Sequence, residues 1–183
     1  METRPWHRFY TEGIPLEVSP DVDPLPALLD RAAARWPERP ATIFEGGKVS
    51  YRALREGADR FAAALVSLGV RPGDRVALQL PNLPQMVIAY YGVLKAGAVA
   101  VMTNPLYVAR EIEHQFNDSG ARVVLTLDAY WVRTIRDIRH RLPSVEHVVL
   151  TRLADWLPFP KNLLFPMVGK TTGMEVDVDP QDP

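Results

Sequence analysis

Along this chain the apolar positions switch between helical spacing and short unbroken runs. After Asp23-Pro24, an N-cap and first-turn pair, Leu28, Leu29, Ala32 and Trp36 recur on one side until Pro37, which predicts a helix over 24–36. Segments 41–45 and 48–50 flank Gly46-Gly47, a dipeptide that tolerates the positive φ of a two-residue turn, so a β-hairpin is expected. Ser50 then caps a helix carrying Leu54, Ala58, Phe61, Ala62, Leu65 and Leu68 at helical spacing, with Gly69 where a C′ glycine belongs.

From Asp74 the pattern becomes regular. Strands are expected at 75–80, 99–102, 122–127 and 146–150, and helices at 82–95, 109–117 and 130–141. The strands are continuous apolar runs and not alternating ones, as in strands buried on both faces of a parallel sheet. The expectation is an α/β fold: a layered, mostly parallel sheet with flanking helices and right-handed crossovers. Of 17 prolines, 7 fall in residues 1–40 and 5 in 158–183, so both ends are poorer in regular structure. The reading divides the chain into an N-terminal extension with the first helix (1–48), an α/β subdomain (49–152) and an apolar connection with a tail (153–183).

Composition narrows the functions available. With 183 residues and 47% hydrophobic content the chain can build a stable core without staples, and with no cysteine it has neither disulfides nor thiol chemistry. Basic and acidic residues, 21 against 22, nearly cancel, which argues against nucleic acid as a partner. Residues 1–15 lack an apolar signal core, and the longest apolar stretch, 86–94, is far short of the roughly 20 residues of a membrane span. A cytoplasmic protein is expected.

Familiar chemical motifs are absent. No strand is followed by G-x-G-x-x-G, no serine sits in G-x-S-x-G, and His7, His114, His140 and His147 have no metal-ligand spacing. Gly169-Lys170-Thr171 lacks the earlier glycine of a phosphate loop, where Leu164 stands instead. Arg133, Arg136 and Arg139 recur at i, i+3 and i+6 on the expected helix 130–141, a basic face that is ordinarily solvated but suits anionic lipid or a ligand phosphate. Residues 156–168 are densely apolar yet broken by three prolines, so they read as a connection packed over the fold or as a membrane or subunit contact.

Several segments together resemble the adenylate-forming (AMP-binding) superfamily. They are Val49-Ser50-Tyr51-Arg52-Ala53-Leu54, Gly73-Asp74-Arg75-Val76-Ala77 leading to Leu80-Pro81-Asn82, Leu94-Lys95-Ala96-Gly97-Ala98, Asn104-Pro105-Leu106-Tyr107, Arg110-Glu111-Ile112 and Asp118-Ser119-Gly120-Ala121. The Asn104–Tyr107 turn and the apolar connection look most like the long-chain fatty acid CoA ligases. The resemblance implies the N-terminal part of that fold. It also implies a reaction in which a fatty carboxylate attacks the α-phosphate of Mg-ATP, and the thiol of CoA then displaces AMP from the acyl-adenylate.

The superfamily's Ser/Thr/Gly-rich phosphate loop, its adenine and ribose motifs and its adenylation lysine come later in such enzymes and have no counterpart in these residues. The resemblance therefore assigns no catalytic residue and no metal ligand here, and ATP, Mg and CoA are cofactors of the parent family. Asn104 and Tyr107, on a loop after a strand C-terminus, are the candidate substrate-binding residues. Expected partners are the remainder of a ligase or a self-associating copy joined at an exposed sheet edge, a fatty acid, and peripheral contact at the inner membrane face. The alternative is a stand-alone lipid- or partner-binding module.

Overall fold

The computed structural model describes residues 4–15 and 23–165. Helix α1 (Leu25–Arg35) leads into an antiparallel hairpin, β1 (Pro40–Phe44) and β2 (Gly47–Ser50), and then helix α2 (Tyr51–Ser67). A second sheet follows from β3 (Arg75–Gln79), β4 (Val99–Met102), β5 (Val123–Leu127) and β6 (His147–Thr151), with α3 (Pro84–Lys95) and α4 (Ala109–Ser119) as crossovers. Its order is β4-β3-β5-β6 and every pairing is parallel. The expected α/β layering is therefore present.

The apolar runs become strands because both faces are covered. On one face Val76, Leu78, Val123 and Leu125 pack with Val93 of α3 and Leu65 of α2. On the other, Ala77 and Val124 meet Ile112, Phe116, Trp131 and Ile135. β3 and β5 are buried almost throughout, which removes the alternation that a half-solvated strand shows.

Helix ends follow local chemistry. Ser50 Oγ accepts from Ala53 N–H at 3.2 Å, capping α2. At the other end Gly69 (φ +84°) closes a double turn in which Val70 N–H reaches Leu65 C=O and Gly69 N–H reaches Val66 C=O, both at 3.0 Å. Asp23, expected to cap the first helix, instead pairs with Arg31, and Pro24 stands at the cap without a side-chain bond. Where α3 crosses α2, a Cβ on Gly92 would meet Ala58 O at 3.0 Å and Phe61 Cδ1 at 2.8 Å, so the crossing needs glycine.

Two expectations are corrected. The hairpin turn is Glu45-Gly46 (φ 52° and 92°), and Gly47 already pairs with Phe44 as part of β2. Lys161 holds that turn, reaching Glu45 O at 3.0 Å and Oε2 at 2.8 Å. The expected helix 130–141 is instead an α-turn (Asp128–Tyr130), a π segment (Trp131–Ile135) and a 3-10 segment (Arg136–Arg141). Thr134 Oγ1 donates back to Tyr130 C=O at 2.7 Å, a side-chain bond that competes with the regular ladder and bends a helix.

Charged groups tie the layers together. Lys95 Nζ reaches Asp30 and Asp59, each at 2.6 Å, joining α1, α2 and α3. Below the sheet Arg122 bridges Asp74 and Glu146, the residues just before β5, β3 and β6. Arg75 at the start of β3 donates to Ser119 O at 2.8 Å and Gly120 O at 3.0 Å, satisfying the end of α4.

Candidate functional site

In a parallel α/β sheet the loops beyond the strand C-termini are where ligands bind. Here that edge is formed by Leu80–Leu83 after β3, Thr103–Val108 after β4, Asp128 after β5 and Arg152 after β6. Beneath it the apolar strands carry a polar row. Gln79 and Thr126 are opposite one another in register, both fully buried, and Thr126 Oγ1 donates to Gln79 Oε1 at 2.9 Å. Thr103, 3% exposed, continues the row beyond β4.

The row is not fully satisfied. Gln79 Nε2 and Gln85 Oε1 are buried without a hydrogen-bond partner among the described residues, and Gln85 Nε2 meets Arg152 O only at 3.5 Å. A buried amide left unpaired is costly, so a polar row in this position is a feature needing a reason. Sequence reading passed over both Gln79 and Thr126. The available signal was a lone polar residue at or near the end of an otherwise apolar run, as in Val76-Ala77-Leu78-Gln79 and Val123-Val124-Leu125-Thr126.

The structure separates the roles of Asn104 and Tyr107. Asn104 Oδ1 accepts from Leu106 N–H at 3.0 Å and its carbonyl accepts from Tyr107 N–H at 3.1 Å, so its side chain shapes the turn. Tyr107 is half-buried against the core and lines an open groove with Val108, Glu111, His114 and Gln115 on the side of α4. Glu111 Oε2 accepts from Val108 N–H at 2.9 Å and fixes the start of that helix.

Arg133 lies in the π segment, and Arg136 and Arg139 lie in the 3-10 segment. Arg133 is exposed, Arg136 Nε reaches Asp137 at 3.4 Å, and Arg139 donates to Leu142 O at 3.2 Å and Val145 O at 2.6 Å. Two carbonyls thus hold the Arg139 guanidinium against the chain. Gly169-Lys170-Thr171 and the end of the apolar stretch 156–168 lie outside the described residues.

Two perturbed carboxylates, Asp74 and Glu146, lie at the opposite end of the sheet. The Arg71 N–H and then Arg122 hold Asp74 below its ordinary range, and the Arg122 guanidinium does the same for Glu146. These are structural pairs between strand starts. Among the described residues no three His, Cys, Asp or Glu side chains come together as a metal cage.

A strand-helix alternation with its ligand edge at residues 80–83 and 103–108 is matched by known proteins. The sequence profile of the AMP-binding enzyme family covers residues 29–183, and the chain belongs to that family. Two relatives are long-chain-fatty-acid–CoA ligases. The one from Bacillus subtilis is 40% identical over 96% of this chain, and the one from Yersinia pestis 41% identical over 90%. The chain spans only 31% and 29% of those ligases' own lengths.

Solved structures agree on the fold. The N-terminal domain of FACL13 from Mycobacterium tuberculosis superposes with a TM-score of 0.66 at 30% identity, covering 71% of this chain and 34% of that one. The anthranilate CoA ligase AuaEII, solved with anthranoyl-AMP, gives a TM-score of 0.66 at 28% identity over 75% of this chain and 26% of its own. The described architecture is thus that of the N-terminal region of adenylate-forming ligases.

Proposed function

We propose that this chain is the N-terminal α/β part of an ATP-dependent long-chain fatty acid CoA ligase, which makes an acyl-adenylate and then an acyl-CoA thioester. The observation that carries this reading is the 40% identity across 96% of the chain to a ligase of that specificity. Its contribution is scaffolding: the sheet presents the loops at 80–83 and 103–108, with Asn104 forming the turn and Tyr107 turned to the edge of the acyl or pantetheine region. On this reading the chain, which spans 31% of that ligase, does not adenylate by itself. ATP, Mg and CoA are bound by the rest of the ligase, which is its partner.

Two assays test the proposal. The purified chain, given fatty acid, Mg-ATP and CoA, is expected to release no AMP. Grafted in place of the matching segment of the Bacillus subtilis ligase, it is expected to retain acyl-CoA formation. Robust turnover by the chain alone, or complete inactivity of a folded graft, would overturn it.

A second reading, a lipid-binding module at the inner membrane face, is favoured by one observation. Phe159, Leu163 and Leu164 stand 80%, 69% and 54% exposed on the connection after β6. No helix among the described residues is long and apolar enough to cross a membrane, so contact would be peripheral. Co-sedimentation with anionic vesicles that is lost in F159S/L163S supports this reading, and absence from the pellet of both neutral and anionic vesicles excludes it.

A further inference from the structure

The ligand edge of the sheet carries a concavity without charge. It lies between β1 of the hairpin and the loop that leads from β3 into α3, and its volume is about 240 Å³. Ile43 and Phe44 stand on the hairpin side and Leu83, Met86 and Val87 on the α3 side, with Thr42 and Asn82 as the polar members. None of its described lining residues is charged. The groove on α4, by contrast, is lined by Arg110, Glu111, His114 and Asp118. Whole ligands ordinarily occupy about 300–1,000 Å³, so the smaller space takes part of a ligand, and its walls ask that this part be apolar.

Those walls are held from behind. Phe44 and Met86 pack against the core shared by α2, α3 and the sheet, and Val87 packs against Leu29, Leu54 and Ala58. Phe44 also pairs with Gly47 across the hairpin, and Lys161 clasps the neighbouring Glu45 by its carbonyl and its carboxylate. A space fixed before its ligand arrives loses less on binding than one that must first be ordered. In front, Ile43 is 67% exposed, an apolar surface that a chain laid along it would cover.

We propose that this concavity receives methylenes of the substrate acid remote from its carboxylate, and that Ile43 and Val87 set how long an acyl chain is accepted. The inference rests on the ligase reading, in which the substrate is a long-chain fatty acid. Place, walls and size agree on an alkyl segment: the space adjoins a loop beyond a strand C-terminus, lacks charge and is too small for a whole ligand. A carboxylate buried there would find no cation, so the charged end of the acid lies elsewhere. Each methylene brought out of water onto these walls strengthens binding about fourfold.

The test uses the graft of this chain into the Bacillus subtilis ligase, where the rest of the enzyme surrounds the edge. KM and kcat are measured with palmitate and with octanoate, the acid with fewer methylenes to place. Ile43→Trp and Val87→Phe both narrow the space. Each is expected to raise KM for palmitate about tenfold or more, the worth of roughly two methylenes, with kcat retained and octanoate little changed. A palmitate KM unchanged in both folded variants, or a rise shared equally by octanoate, would overturn the inference and leave the ligase reading standing. A folded graft inactive with both acids would overturn the two together. If Val87→Phe does not fold, Ile43→Trp decides alone, since residue 43 stands mostly in solvent. If the graft itself does not fold, thiol labelling of the whole chain decides, because the chain has no cysteine of its own. Palmitate is then expected to slow maleimide capture of I43C and not of L150C on β6, and equal slowing or none would overturn the inference.

Discussion

Gln79 and Thr126 each stand between two leucines in the sequence, yet each needs the other. Thr126 gives its hydroxyl proton to the Gln79 carbonyl oxygen at 2.9 Å, and both side chains are sealed from solvent. Removing one partner strands the other at the full desolvation cost, about 1–3 kcal/mol, whereas replacing both by apolar groups of similar shape is nearly neutral. Thr126→Val and Gln79→Leu are each expected to lower the urea midpoint, and the double variant to recover most of the loss. Strictly additive losses would mean that the pair is not coupled.

At the scale of elements the starts of β3, β5 and β6 share one ionic clamp. Asp74 and Glu146 have their proton affinities lowered from ordinary values of 3.8 and 4.5, by Arg71 N–H and Arg122 for the first and by Arg122 for the second. A depressed carboxylate stabilises the fold above its unfolded value, and that stability is lost as pH falls through the depressed one. Unfolding midpoints are therefore expected to hold from neutral pH down to about 4.5 and to drop below it. In Arg122→Met the acid drop is expected to be shallower, and an unchanged slope would show that other carboxylates control it.

Elements were legible in the sequence where one physical cause dominated. Burial on both faces wrote β3 and β5 as apolar runs, and Ser50 and Gly69 marked the ends of α2. The reading failed where two local preferences competed. Residues Trp131, Ile135, Ile138 and Leu142 are buried at helical spacing, but the Thr134 back-bond and the Arg139 grip on Leu142 and Val145 carbonyls wind the segment unevenly. Glu45, a non-glycine residue at φ 52°, displaced the turn by one position because Lys161, remote in sequence, holds its carbonyl and its carboxylate. At the site, Tyr107 could be reached from its place after a strand. The Gln79–Thr126 pair could not, because register between β3 and β5 exists only in the folded sheet.

At the scale of the molecule, the first strand of the parallel sheet in sequence is an interior one. β3 receives β4 on one side and, after α4, β5 on the other, and β6 then joins beyond β5. On a ribosome adding about 5–20 residues per second, β4 is complete seconds before β5 and β6 have emerged to finish the sheet. During that interval its uncharged outer side faces identical nascent chains on the same message. The strand order thus makes neighbouring ribosomes the first place where two copies meet, so the spacing between them bears on whether the uncharged β4 edge aggregates.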